Sequence, residues 1–275
     1  MPTRVLVVDA YPREAREQLV DAGGSEAGRL YRSMLARLEP DLEIDVCHPA
    51  DGQLPESQSL AAYAGHAWTG SSLSILEPDA PHVSPQIDLA RELFAAGVPG
   101  FGSCFALQLA SVALGGRCTA SPKGREFGVA RTIRLTAEGR RHPLYRSKPD
   151  VFDAFTSHAD EVALLPPDTS LLASNAWSQV QGASLGDFWA VQYHPEYDLH
   201  EVASLCRLRK QELIDQGSFS DGAEAERYID ACETLHADPS RKDLASQLDV
   251  GESVLNAETR TLEVRNWLDE RVGAA

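Results

Sequence analysis

The sequence predicts an open α/β sheet, mostly parallel, with helices on both faces, an antiparallel extension and a helical C-terminal appendage. Three observations lead there. Short β-branched runs alternate with helix-spaced apolar stripes from Arg4 to Gly102, the pattern of parallel strands joined by right-handed crossovers. From about Arg131 to Gln192 the alternation gives way to short strands separated by Pro, Gly and Asp turns. After Tyr197 strand signals cease and only helical periodicity remains.

Taken in order, Arg4 to Val8 is a strand, and a long polar loop leads from it to a helix over Glu26 to Leu38, with Leu30, Met34, Leu35 and Leu38 on one face. Leu42 to Val46 alternates apolar and acidic residues as a half-exposed strand does, and Gly65 to Thr69 is a strand that ends in the turn-forming Gly70, Ser71 and Ser72. Ser84 fits a helix N-cap, and the stripe Ile87, Leu89, Ala90, Leu93, Phe94 stops at Gly97. Val98 to Gly102 is the strand leading to Cys104. The later strands are Arg131 to Leu135, Phe152 to Thr156, Leu171 to Ser174, Val180 to Ala183 and Trp189 to Gln192. Three helices then cover Leu199 to Gln216, Gly222 to His236 and Glu252 to Val272, so the chain divides into a domain over 1–200 and a helical extension over 201–275. The extension holds 16 acidic and 9 basic residues, most of them off the apolar stripes, which reads as a solvated face.

The 275 residues are ample for a full core. A net charge of −16 opposes binding to nucleic acid or to an anionic membrane surface. No apolar run reaches membrane-spanning length and the N-terminus lacks signal-peptide features, so a cytoplasmic protein is expected. The five cysteines, at 47, 104, 118, 206 and 232, form neither a disulfide framework nor a zinc pattern, and neither metal nor cofactor is implied.

In GFGSCFALQLA, Cys104 stands between a strand and a helix in a Gly-x-Cys-x-small frame, the thiol form of a nucleophile elbow. A larger side chain at Gly102 or Ala106 would collide with the neighbouring strand and helix. A thiol at a helix N-terminus faces unpaired N–H groups, which favour thiolate. The other four cysteines sit at a strand end, after a glycine pair or within helices and read as structural. WAVQYHPEYD supplies the partners such a nucleophile needs. Pro195 ends a strand at His194, and Glu196, two residues on along extended chain, can reach back to the imidazole.

These stretches make the chain resemble the class I, triad-type glutamine amidotransferases over roughly residues 4 to 198, with VPGFGSCFALQLASVALGG, VQYHPE, AWTGSSLS and TSHADEV in the family's order. The resemblance implies a flavodoxin-like sheet of that family's type. It also implies Cys104 as nucleophile, His194 as base and Glu196 as its orienting acid. The oxyanion donors would be the N–H of Phe105 with that of Gly70 or Ser71. Gln108 and the segment Ser157, His158, Ala159 would hold the substrate. The implied reaction is hydrolysis of the γ-carboxamide of glutamine, or of another γ-glutamyl amide, through a cysteine thioester, with a separate synthetase as a possible acceptor of the ammonia. Ala106 and Leu107 replace the family's usual Gly and His, and Gly70-Ser71-Ser72 replaces its Gly-Gly-Pro, variants closest to the standalone branch that resembles GMP synthetases. Glu126 in KGREFG matches a family position without an assigned role, and a structural ion pair is the expectation. The residues alone leave open a glutaminase feeding a synthetase, a self-sufficient γ-glutamyl amide or peptide hydrolase, and a binding or regulatory module without turnover.

Overall fold

The computed structural model describes residues 3–273. Its main sheet has nine strands in the order β2-β1-β3-β4-β11-β10-β9-β6-β7. In chain order the strands are β1 (Arg4–Val8), β2 (Glu43–Cys47), β3 (Gly65–Trp68), β4 (Gly100–Ser103), β5 (Arg117–Ala120), β6 (Glu126–Leu135), β7 (Val151–His158), β8 (Asp160–Leu164), β9 (Ser170–Ser174), β10 (Gly182–Leu185) and β11 (Phe188–Val191). Pairing is parallel among β2, β1, β3, β4 and β11, and antiparallel from β11 outward through β10, β9, β6 and β7. The expected parallel sheet with an antiparallel extension is therefore one continuous sheet, with the small pair β5-β8 beside it.

The central strands are buried on both faces, which is why β1 reads as an unbroken apolar run. Leu6 and Val8 face one cluster with Trp68, Leu93 and Phe105. Val5 and Val7 face another with Tyr31, Phe101, Val191 and Trp267. Helices α2 (Ala27–Leu38), α3 (Ser84–Ala95) and α4 (Phe105–Ala113) cover these faces. The C-terminal α5 (Leu199–Leu208) and α7 (Gly222–Ala237) enclose a third cluster with Tyr11, Phe155 and Tyr197.

Several elements depart from the sequence reading. The polar loop after β1 contains helix α1 (Arg13–Asp21), whose inner face includes the buried Arg16, bonded to the Tyr11 carbonyl and to Asp51, so it shows no apolar stripe. Ser84 is the first residue of α3 rather than its cap, because Val83 precedes it with helical angles and Pro85 follows. The stretch from Leu199 to Gln216 breaks at Arg209 into α5 and α6 (Lys210–Asp215). An additional helix α8 (Lys242–Gln247) buries none of its residues. The last stretch is three short helices, α9 (Glu252–Leu255), α10 (Ala257–Arg260) and α11 (Leu262–Trp267), with a π turn at Leu268–Val272. Asn256 causes the first break by capping the N–H groups of Glu258 and Thr259.

The final helix packs on the sheet. Trp267 is fully buried beside Phe101, with ring centroids 6.1 Å apart. Lys148 and Glu263 form a buried ion pair at 2.9 Å, and Tyr193 donates its hydroxyl proton to the same carboxylate. No helix among the described residues is long and apolar enough to cross a membrane.

Candidate active site

The strand β4 ends at Ser103 and the helix α4 begins at Phe105, so the chain reverses direction at one residue. Cys104 makes that turn with φ 55° and ψ −108°, backbone angles that a non-glycine residue adopts only where its surroundings enforce them. Its N–H donates to the Val191 carbonyl at 2.8 Å, fixing the elbow to the end of β11. A Cβ added at Gly102 would lie 2.5 Å from Ala106 Cβ and 2.8 Å from the Phe188 ring, so the turn depends on small residues at these places.

The same strand β11 runs on to His194, whose N–H donates to the Phe155 carbonyl at 2.8 Å. The imidazole stacks on Tyr197, with ring centroids 3.9 Å apart and planes 6° from parallel. Nδ1 lies 2.6 Å from Glu196 Oε1, in the pairing that the spacing of the two residues predicts. Ser103 donates to that oxygen at 3.2 Å and Tyr31 donates to Ser103 at 2.7 Å, a buried relay of hydroxyls behind the carboxylate. Cys104 lies near enough to the ring to act on it electrostatically. Burial opposes a charge on His194, but Glu196 and Cys104 outweigh it and push its pKa up to about 10. The other cysteines behave differently: burial pushes Cys47, Cys118, Cys206 and Cys232 up to about 12.

Cys104, Phe105, Gln108, Ser71, Ser157, His158 and Ala159 line one cleft with about 490 Å³ of empty space. His194 and Glu196 lie behind the thiol, their side chains 2% and 1% exposed. Gly70 faces the imidazole edge, where an added Cβ would meet His194 Cε1 at 2.7 Å. The loop it begins is fastened to the end of β1: Ala10 donates its N–H to Thr69 Oγ1 at 2.9 Å, and the Ala10 carbonyl accepts from Ser71 Oγ at 2.9 Å. Among the described residues no protein acceptor takes the N–H of Gly70, Ser71 or Phe105.

Gln108 and the 157–159 segment are more engaged than their motifs suggest. Gln108 Nε2 donates to the Asp160 carbonyl at 2.7 Å, tying α4 to the junction of β7 and β8. The Ser157 carbonyl lies 3.8 Å from Cys104 Sγ, within reach of the thiol proton. The His158 ring lies between the Asp160 carbonyl, 3.0 Å from Nδ1, and Glu126 Oε2, 2.9 Å from Nε2. Glu126 also accepts from Asn175 at 2.7 Å and from Gln181 at 2.8 Å. Its work is therefore structural: it ties the end of β7 to β6 and to the segments carrying Asn175 and Gln181. Sequence reasoning missed Arg125, Asp160 and Arg209, which line the same cleft. Arg125 stands inside the quoted KGREFG and Asp160 inside TSHADEV, whereas Arg209 lies in a helical stretch with no motif to mark it. Among the described residues no group of three or more His, Cys, Asp or Glu is arranged to hold a metal.

A sequence model of the class-I glutamine amidotransferases matches residues 77–206. A γ-glutamyl-L-1-hydroxyisopropylamide hydrolase from a Pseudomonas species is 30% identical over 98% of this chain and 93% of its own length. GMP synthase from Thermomicrobium roseum is 30% identical over 62% of this chain, and the match spans 30% of that longer protein. A γ-glutamyl peptidase of Arabidopsis thaliana is 29% identical over 66% of this chain and 74% of its own length. Among solved structures, a glutamine amidotransferase of Thermotoga maritima shares the fold with a TM-score of 0.68 at 18% identity, over 99% of each chain. A similarity spanning nearly the whole of both sequences, together with this sheet and elbow, settles kinship: the chain belongs to the class-I glutamine amidotransferase family.

Proposed function

We propose that the chain hydrolyses the γ-carboxamide of glutamine through a γ-glutamyl thioester on Cys104, releasing ammonia to solution or to a separate synthetase. One observation carries this reading: the elbow places its thiol beside a buried imidazole whose Nδ1 is held 2.6 Å from a buried carboxylate. His194, raised to about 10, carries its proton at neutral pH. Cys104 attacks the γ-carbonyl, and the tetrahedral oxyanion takes hydrogen bonds from the free N–H of Phe105 and from that of Gly70 or Ser71. His194 gives its proton to the departing nitrogen and the C–N bond breaks. Acylation removes the negative charge at Cys104, so the ring holds a proton less tightly and can take one from water. That water attacks the thioester, glutamate leaves, and the thiolate–imidazolium pair is restored. Gln108 and Glu126 hold the 157–160 segment against the cleft, where Ser157, His158 and Ala159 contact the amino-acid end of the substrate.

A specific observation favours a second reading, in which larger γ-glutamyl amides are the substrates. The cleft is adjoined by another, lined by Tyr11, Gln18, Leu208 and Glu212, and the two share Ser72 and Arg209, leaving room beyond the reacting carbonyl for a substituted amine. The relative matched nearly end to end is named for cleaving a γ-glutamyl amide with a substituted leaving amine. Measuring glutamate release from glutamine and from a series of N-substituted γ-glutamyl amides, with C104A as control, separates the readings. Efficient hydrolysis of the amides with poor use of glutamine selects the second. Absence of all turnover, with no labelling of Cys104 by a glutamine-like electrophile, leaves a binding or regulatory module.

A further inference from the structure

The cleft beside Cys104 is lined by two guanidinium groups that no step above uses. Arg125 reaches it from the turn before β6, and Arg209 from the break between α5 and α6. The Arg125 side chain is 10% exposed and that of Arg209 15%. Both share one counter-ion: Arg125 Nη2 donates to Glu212 Oε1 at 2.7 Å, and Arg209 Nη1 lies 3.7 Å from Glu212 Oε2. Glu212 is itself 40% exposed. Two cations thus share one half-solvated carboxylate at the cleft wall, in a chain whose net charge is −16. Asp160, the remaining charged residue of the cleft wall, is held by Ser74 Oγ at 2.6 Å.

Resting on the γ-glutamyl reading of the site, we infer that Arg125 and Arg209 bind a carboxylate of the substrate and select for it. A guanidinium pair lining a cleft matches a carboxylate in charge and in geometry. With the γ-carbonyl at Cys104, a γ-glutamyl group places its α-carboxylate about 4–5 Å further along the chain, within the dimensions of this cleft. Its α-ammonium then has Asp160 as a counter-charge. A carboxylate on the leaving amine is the other source of the same chemistry, because Arg209 also borders the adjoining cleft. Glu212 occupies the arginines until substrate arrives, competing with it for their donors.

The test compares kcat/KM of wild type, R125Q, R209Q and E212Q on γ-glutamylethylamide, on γ-glutamylglycine and on N-ethyl-4-aminobutanamide, which lacks any carboxylate. For the arginine variants the expected result is a rise in KM roughly 10- to 100-fold greater for the carboxylate-bearing substrates than for the last, the effect of losing one charge-assisted hydrogen bond. E212Q, which removes the competitor, lowers KM for the same substrates. A loss confined to γ-glutamylglycine assigns the pair to the leaving-group carboxylate, and a loss shared by γ-glutamylethylamide assigns it to the α-carboxylate. Equal effects on all three compounds, or none on any, overturn the inference. If nothing is hydrolysed, a diazoketone analogue of glutamine and its decarboxylated form still report through covalent labelling of Cys104. A saturation preference for the carboxylated reagent that R209Q abolishes sustains the inference without turnover, and equal saturation by both reagents in wild type overturns it.

Discussion

Replacing Gly70 with alanine tests how tightly the imidazole is confined. The added carbon would stand 2.7 Å from His194 Cε1 and 3.6 Å from Nδ1, a pair of distances that puts it at the ring edge near the ring plane. An ordinary carbon–carbon contact is about 3.5 Å, so the ring must retreat by about 0.8 Å. It cannot tilt freely, because Tyr197 stacks against its face at 3.9 Å. Sliding in plane lengthens the 2.6 Å contact to Glu196 or moves the ring away from Cys104. Gly70 itself has no left-handed backbone angle, so alanine brings no backbone strain of its own and the fold survives. A displacement approaching 1 Å in a positioned catalytic group costs about 100-fold in rate. Steady-state hydrolysis of a γ-glutamyl amide by Gly70→Ala, with thermal unfolding alongside, should show that loss in kcat at nearly unchanged Tm. A folded variant with activity within a small factor of wild type would refute the confinement of the ring.

Other outcomes follow from the same contacts. With the other four thiols pushed up to about 12, a haloacetamide near neutral pH should add one equivalent, at Cys104, and none to C104A. Because His194 stays charged up to about 10, His194→Ala removes a positive charge from beside the sulfur and should slow that alkylation at neutral pH; an unchanged rate would disprove the pairing. His66 is fully buried and burial pushes its pKa down to about 3, so between 6.5 and that value the unfolded chain binds a proton the folded chain refuses. Stability therefore falls as pH is lowered through that window, by up to about 1.4 kcal/mol per unit, and urea midpoints of His66→Gln should depend less on pH than those of wild type. Trp267→Ala, which empties a fully buried site against Phe101, should cost about 3–5 kcal/mol in urea unfolding, and a cost near zero would contradict the packing of the last helix on the sheet.

The parts of this molecule that were legible in sequence are those where local pattern and tertiary role agree. β1 is an apolar run because both faces are covered, and the elbow shows itself through Gly102 and Ala106 because only small side chains fit there. His194 and Glu196 could be paired on paper because extended backbone puts alternate residues on one side. What escaped notice has polar residues doing interior work. Helix α1 turns the buried Arg16 inward, so its inner face breaks the apolar periodicity. The strand β6 begins at Glu126 rather than Arg131 because the buried Glu126 is satisfied by His158, Asn175 and Gln181 from elsewhere in the chain. A bulge between Ala130 and Ile133, with Thr132 at φ 52°, then interrupts its alternation. β5 leaves Arg117, Thr119 and Ala120 exposed, so no alternating face marks it as a strand. The cleft arginines come from segments 84 positions apart, Arg125 and Arg209, brought together through Glu212 in a manner no local spacing encodes.

Partition of the acyl-enzyme tests the central claim most directly. Hydroxylamine added during turnover intercepts a γ-glutamyl thioester as the hydroxamate, in competition with water. If Cys104 carries the acyl group after the amine has left, substrates with different leaving amines pass through the same intermediate. Their hydroxamate-to-glutamate ratio is then identical, and C104A forms neither product. A ratio that changes with the leaving amine, or hydrolysis that survives in C104A, would contradict nucleophilic catalysis by Cys104.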